Sequence, residues 1–249
     1  MSIFKLSQKD QASTIDIHHD FEFVDCGLNG LHVISIGAVI DGPKKRSLFY
    51  GINNDFFNSD VFLDMVNDEG KLSEKSNNTW MFENVFKHII CRVGAKTVSI
   101  SDARLAIAHG RKFSIHAEDQ KPVSKPVPTV VVGTPDEIKE ALLKVVSAAS
   151  PAGETTVRPW GYYTAHDHVC LANLFGGMRN MPDNWCYFSL DIRQMSDIFG
   201  QDHDDFNPNT PHHPLYDAVA QYKTARKLAV FVANADPKTL GNLVKGATA

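Results

Sequence analysis

The chain has 249 residues, 43% of them hydrophobic and 22% charged, with a formal net charge of −4. That suits a globular protein with one good core, and it argues against a nonspecific basic coat for nucleic acid. No apolar run approaches the ~18 residues of a bilayer span, no signal-peptide core opens the chain, and Cys26, Cys91, Cys170 and Cys186 form no CxxC pair, so no membrane and a reducing cytoplasm are expected.

Ile15, Ile17, Phe21 and Phe23 alternate with Asp16, His18, Asp20 and Glu22, which is the period of a strand. Turn residues follow, and Leu31 to Ile40 reads as a second, mostly buried strand. Asp41-Gly42-Pro43 marks another turn before a third strand over Ser47 to Ile52. Short turns between three strands predict an antiparallel meander.

Residues 53–127 are rich in Asn and Asp near 53–60 and 67–78, and read as helices plus an irregular insertion. One helix is expected from about Trp80 to Ile90, where Met81, Val85, Phe86 and Ile89 share a face. Thr129 to Val132 restores a strand pattern. Thr134, Pro135 and Glu137 then supply an N-cap, a first helical position and a capping box, and Ile138, Ala141, Leu142, Val145 and Val146 form the apolar stripe. Arg158 to Thr164 has the aromatic weight of a strand, His166 to Phe175 reads as a helix, and Pro214 to about Phe231 reads as a long one. Strands first, then alternating helices and strands, predict one mixed α/β domain over 1–249 with an insertion at about 53–127.

Three segments carry chemistry. Asp20 and Glu22 stand two apart on a strand and so project from one face, where they repel unless a cation lies between them. An oxygen-only site of that kind suits Mg²⁺ or Mn²⁺. Asp167 stands where a strand hands over to a helix, flanked by His166 and His168. A zinc site on that His-x-His is disfavoured, because the rings diverge and no cysteine lies at ligand spacing. His212 and His213 precede Pro214, and Asp217 falls in the first turn of the last helix. Each segment alone has an ordinary structural explanation, such as a solvated strand face or an aspartate placed for the helix dipole.

Together and in this order they resemble the DEDDh 3′→5′ exonucleases, most closely the RNase AS-like exoribonucleases. The likeness rests on Asp20-Phe21-Glu22-Phe23 followed by Ser35-Ile36-Gly37, and on Asp167-His168-Val169 running on to Leu174-Phe175-Gly176. Ile192-Arg193-Gln194 matches a downstream Leu-Arg-Gln element, and His212 with Asp217 and Ala218 matches the closing motif. The likeness covers residues 15–52 and 158–230. Val219 stands where the family often has Arg, and residues 53–127 have no counterpart.

What the resemblance implies is an RNase H-like mixed sheet, a meander followed by parallel strands, flanked by helices. It implies two divalent cations, Mg²⁺ or Mn²⁺, held directly by Asp20, Glu22 and Asp217 and partly through water by Asp167. The resemblance, through the family's spacing of five residues to the final aspartate, also implies His212, rather than His213, as the general base that deprotonates the attacking water. Phe23 is the candidate for stacking on the terminal base. The expected substrate is single-stranded RNA or a 3′ overhang, cut to nucleoside monophosphates. Single-stranded DNA and a catalytically idle binding module are the competing readings, and a homodimer is left open.

Overall fold

A computed structural model describes residues 14–26, 30–65, 78–93, 95–100, 102, 114–117, 126–150, 155–201 and 212–236. Strands β1 (Thr14–Asp25), β2 (Leu31–Asp41) and β3 (Arg46–Asn53) form the expected meander, β1 and β3 each pairing antiparallel with β2. The chain then makes a 3₁₀ turn at Asn54–Asn58, the short helix α1 (Asp60–Met65) and, further on, the helix α2 (Asn78–Asn84). Strands β4 (Ile89–Val93), β5 (Lys96–Val98) and β6 (Ser114–Ala117) build a separate antiparallel sheet in the order β5-β4-β6. Next come β7 (Thr129–Gly133), helix α3 (Pro135–Ala149), β8 (Thr156–Gly161), helix α4 (Ala165–Leu174), β9 (Leu190–Asp191), helix α5 (Ile192–Phe199) and helix α6 (Pro214–Asn234).

The main sheet has six strands in the order β7-β3-β2-β1-β8-β9, and the β3–β7, β1–β8 and β8–β9 pairs are parallel. The protein is therefore α/β, with a mixed sheet flanked by helices. Helices α3 and α4 cover one face, where Ile138, Leu142, Val146, Cys170 and Leu171 pack on Ile15, Ile17, Phe21, Ile36 and Ala38. The start of α6 and the insertion share the other face: Leu215 and Ala218 join Phe56, Phe57, Phe62, Met81 and Phe86 against Tyr50 and Ile52. Both faces of β1 are thus covered, and His18 and His19 are buried on opposite sides of it. The capping box at Thr134 and Glu137 forms as its sequence predicts. No helix among the described residues is long and apolar enough to cross a membrane.

The insertion differs from its reading in the sequence. The helix expected over Trp80 to Ile90 stops at Asn84; a single 3₁₀ turn over Phe86–His88 follows, and Ile89 opens a strand. Ile89 and Ile90 are β-branched, and they pair with Ala117 and His116, a partner segment no local periodicity reveals.

Two features of β2 place the site. The β1–β2 register shifts between Glu22 and Phe23, leaving Ile34 without a partner on β1. This bulge sends Ile34 into the cluster on the α6 face, whereas Ile36 and Ile40 lie on the opposite side. Gly37 pairs with Asp20, and a Cβ there would overlap the backbone of Pro214 and Leu215. The first turn of α6 therefore lies directly on the sheet. At the far end of β1, the Arg158 Nε and Nη2 groups donate to Asp16 at 2.8 and 2.9 Å, and the Trp160 indole donates to the same carboxylate at 2.8 Å, locking β8 to β1. Gly37→Ala is expected to cost about 1–3 kcal/mol by overpacking and to lift Asp217 away from Asp20. Chemical denaturation together with Mn²⁺ titration checks this; a variant with wild-type stability and affinity would show that the contact is slack.

Candidate active site

Asp20 and Glu22 point from β1 toward α6, as their spacing predicts, and Asp217 meets them from the first helical turn. One carboxylate oxygen from each lies within 4.8 Å of the other two. Among the described residues no other group of three or more His, Cys, Asp or Glu is close enough to hold a metal ion. Asp20 is steadied by Gln221, one turn beyond Asp217, whose Nε2 donates to Asp20 Oδ1 at 3.0 Å. The Gln221 side chain is completely buried.

Asp167 joins this group from a different element. The paired register of β1 and β8 ends at His18 and Trp160, and the backbone N–H of Phe21 instead donates to Asp167 Oδ1 at 2.9 Å. The bond sets Asp167 against the strand between Asp20 and Glu22 and keeps it outside the tight trio. Asp191 holds the turn that leads to Asp167: one of its oxygens accepts from Thr164 N–H at 3.1 Å, and the other caps α5 by accepting from Arg193 and Gln194. The Ile192-Arg193-Gln194 element thus follows a cap tied to the site. His166 and His168 do not converge. His168 lies 2.8 Å from Ser189 Oγ and 3.0 Å from the Tyr187 carbonyl through its two ring nitrogens, and the His166 ring lies 5.7 Å from that of Phe23.

Burial is the main electrostatic fact. It pushes Asp20 and Glu22 well above the ordinary carboxylate range, and the neighbouring acids, including Asp167 and Asp217, raise them further. Burial also pushes Asp167 and Asp217 up to about 7, tempered by the Phe21 amide for the first and the His212 amide for the second. The Gln221 bond lowers Asp20 against these effects without overcoming them. Such a set favours its protonated forms more than free carboxylates do, unless a cation takes the protons' place. Its donors are all carboxylate oxygens, which fit a hard divalent ion such as Mg²⁺ or Mn²⁺.

The two histidines before α6 separate clearly. His212 is half-buried with φ at +62°, and its backbone N–H donates to the Asp217 carboxylate. Burial, followed by Lys87 and His88, lowers its pKa, which favours the neutral ring that can accept a proton. His213 is fully buried, its ring 4.9 Å from those of Tyr50 and His88 and 4.5 Å from that of Tyr216. It is a core residue, with its pKa pushed down to about 3 by burial. Phe23 is half-buried beside Glu22. Sequence reading missed Gln221 and Asp191, and met Gly37 only within the Ser35-Ile36-Gly37 motif, without its contact to α6. Of the first two, only Gln221 carried a signal, four residues after Asp217 on the same helical face.

No protein-family model matches the chain, and no curated protein matches it. Asp167 and Asp217 keep protons that free carboxylates lose near pH ~4, so the stability those protons confer is present below that pH and lost as pH rises through about 7. Cation binding must displace these protons, so the gain in thermal midpoint on adding Mn²⁺ is expected to grow between about pH 5 and about pH 8. Scanning calorimetry with and without Mn²⁺ isolates the effect from the buried histidines, and Asp217→Asn is expected to flatten it. A gain independent of pH would mean that Mn²⁺ binds elsewhere.

Proposed function

We propose that the chain is a metal-dependent 3′→5′ exonuclease of the RNase H-like type, acting on single-stranded RNA or 3′ overhangs. The observation that carries the reading is the meeting of Asp20 and Glu22 with Asp217, with Asp167 bound between them at Phe21, from segments far apart in the chain. The run β3-β2-β1-β8-β9, a meander extended by parallel strands, supports the fold part of the reading. The 3′→5′ direction and the preference for RNA rest on the likeness of the three motifs to the RNase AS-like exoribonucleases.

In this reading Asp20, Glu22 and Asp217 would hold two divalent ions directly, and Asp167 would contribute partly through water. When bound, the ions supply Lewis acidity and neutralise charge on the attacking and leaving oxygens of an in-line displacement. His212 takes the proton from the attacking water, which its neutral ring permits. Phe23 offers a ring beside Glu22 for the terminal base. Gln221 and the Phe21 amide keep Asp20 and Asp167 in place as charge develops.

The test is digestion of 5′-labelled single strands of matched RNA and DNA with Mg²⁺, with Mn²⁺ and with chelator. Shortening from the 3′ end that needs the metal and favours RNA is expected; equal rates on DNA would select a DNA exonuclease, and no metal-dependent cleavage would leave a binding module. His212→Ala is expected to lower kcat by about 10²–10⁴-fold with metal affinity retained, whereas Asp217→Asn abolishes activity at modest Mg²⁺. His213→Ala removes a buried ring and is expected to lower stability by about 2–4 kcal/mol while leaving residual activity in the folded fraction. If His213→Ala folds normally and is the inactive variant, His212 is not the base.

A further inference from the structure

The insertion touches the candidate base through one aromatic side chain. The Trp80 ring on α2 meets that of His212 with centroids 4.5 Å apart and planes at 71°. Trp80 itself is 45% exposed, so it is not placed there by its own burial. Its helix is anchored by neighbouring residues: Met81, Val85 and Phe86 lie in the same buried cluster as Leu215 and Ala218 of α6. α2 therefore cannot move relative to the start of α6 without opening that core, and Trp80 keeps a fixed station beside His212.

His212 needs such support. Its φ of +62° is a conformation that non-glycine residues adopt rarely, and the N–H bond to Asp217 fixes its backbone but not its two side-chain torsions. No hydrogen bond among the described residues holds the imidazole itself. We propose that Trp80 is the positioning residue for His212, its ring fixing the orientation of the imidazole so that the insertion completes the hydrolytic site. The proposal rests on the exonuclease reading, in which His212 is the base. An edge-to-face contact of this kind confers direction as well as attraction, and a base displaced by a fraction of an ångström loses much of its effect.

A double-mutant cycle tests it, using a single-stranded RNA oligonucleotide with Mn²⁺. Trp80→Ala is expected to lower kcat by about tenfold, to leave KM within about twofold and to leave Mn²⁺ affinity at the wild-type value. In a His212→Ala background the same substitution is expected to cost less than about twofold, because the group it orients is gone. Trp80→Phe, which keeps an aromatic ring, is expected to recover most of the turnover. An equal loss in both backgrounds overturns the proposal, as does a loss confined to KM or a rise in kcat. Should Trp80→Ala fail to fold, Trp80→Leu makes the same comparison. A readout independent of turnover separates this proposal from the exonuclease reading. The ring protons of His212 are expected to shift in the NMR spectrum when Trp80 is replaced, even if the wild-type protein hydrolyses nothing. An unchanged His212 signal means the contact does not hold the ring; no metal-dependent hydrolysis by the wild type would instead remove the exonuclease reading.

Discussion

Like charges brought together away from water set the terms for this structure. Asp20, Glu22, Asp167 and Asp217 are raised above their ordinary pKa values chiefly by burial, and Asp20 and Glu22 also by the other acids of the cluster. Three of the four are held by a donor from the chain: Gln221 for Asp20, the Phe21 amide for Asp167 and the His212 amide for Asp217. Neutral donors of this kind orient a carboxylate without cancelling its charge. The arrangement is thus rigid yet electrostatically incomplete, which is what a site for a small divalent ion requires.

Much of the main domain was legible from local pattern. The alternation of Ile15, Ile17 and Phe21 with Asp16, His18 and Asp20 is the plain signature of a strand, and Thr134-Pro135-Asp136-Glu137 announces its helix by cap chemistry. Both signals involve residues close in sequence, whose geometry the backbone alone dictates. The bulge at Ile34 and the seating of α6 on Gly37 depend on partners nearly two hundred positions away in the second case, and no window on the sequence contains them. The insertion was the least readable part for the same reason. Ile89 and Ile90 suit a helix face or a strand equally, and only pairing with Ser114–Ala117 decides.

The candidate site was legible as a list of residues but not as an assembly. His212 and His213 are adjacent and chemically identical, yet one lies half-buried against Trp80 and the other is sealed among Tyr50, His88 and Tyr216. The difference comes from the left-handed turn at His212, which points consecutive side chains into different surroundings. The turn separates the two rings, and tertiary contacts then give each its environment. The insertion matters here too, because His88 supplies part of the wall around His213 and Trp80 stands beside His212.

The long separations within the site bear on how the chain is made. Asp20 and Gln221 are 201 residues apart, and Phe21 and Asp167 are 146 apart. Contacts of that range close late in folding, after local hairpins such as β1–β2–β3 have formed. During synthesis, which proceeds from the N-terminus, β1 must wait for β8 on its open edge and then for α6 on its polar face. Asp20 and Glu22 consequently stay hydrated until α6 has left the ribosome, and the repulsion that burial brings is deferred until that helix docks. A chain interrupted before Pro214 has the meander and three of the acids, but neither Asp217 nor the helix that seals them. Completion of the acidic cluster is thereby tied to the synthesis of α6.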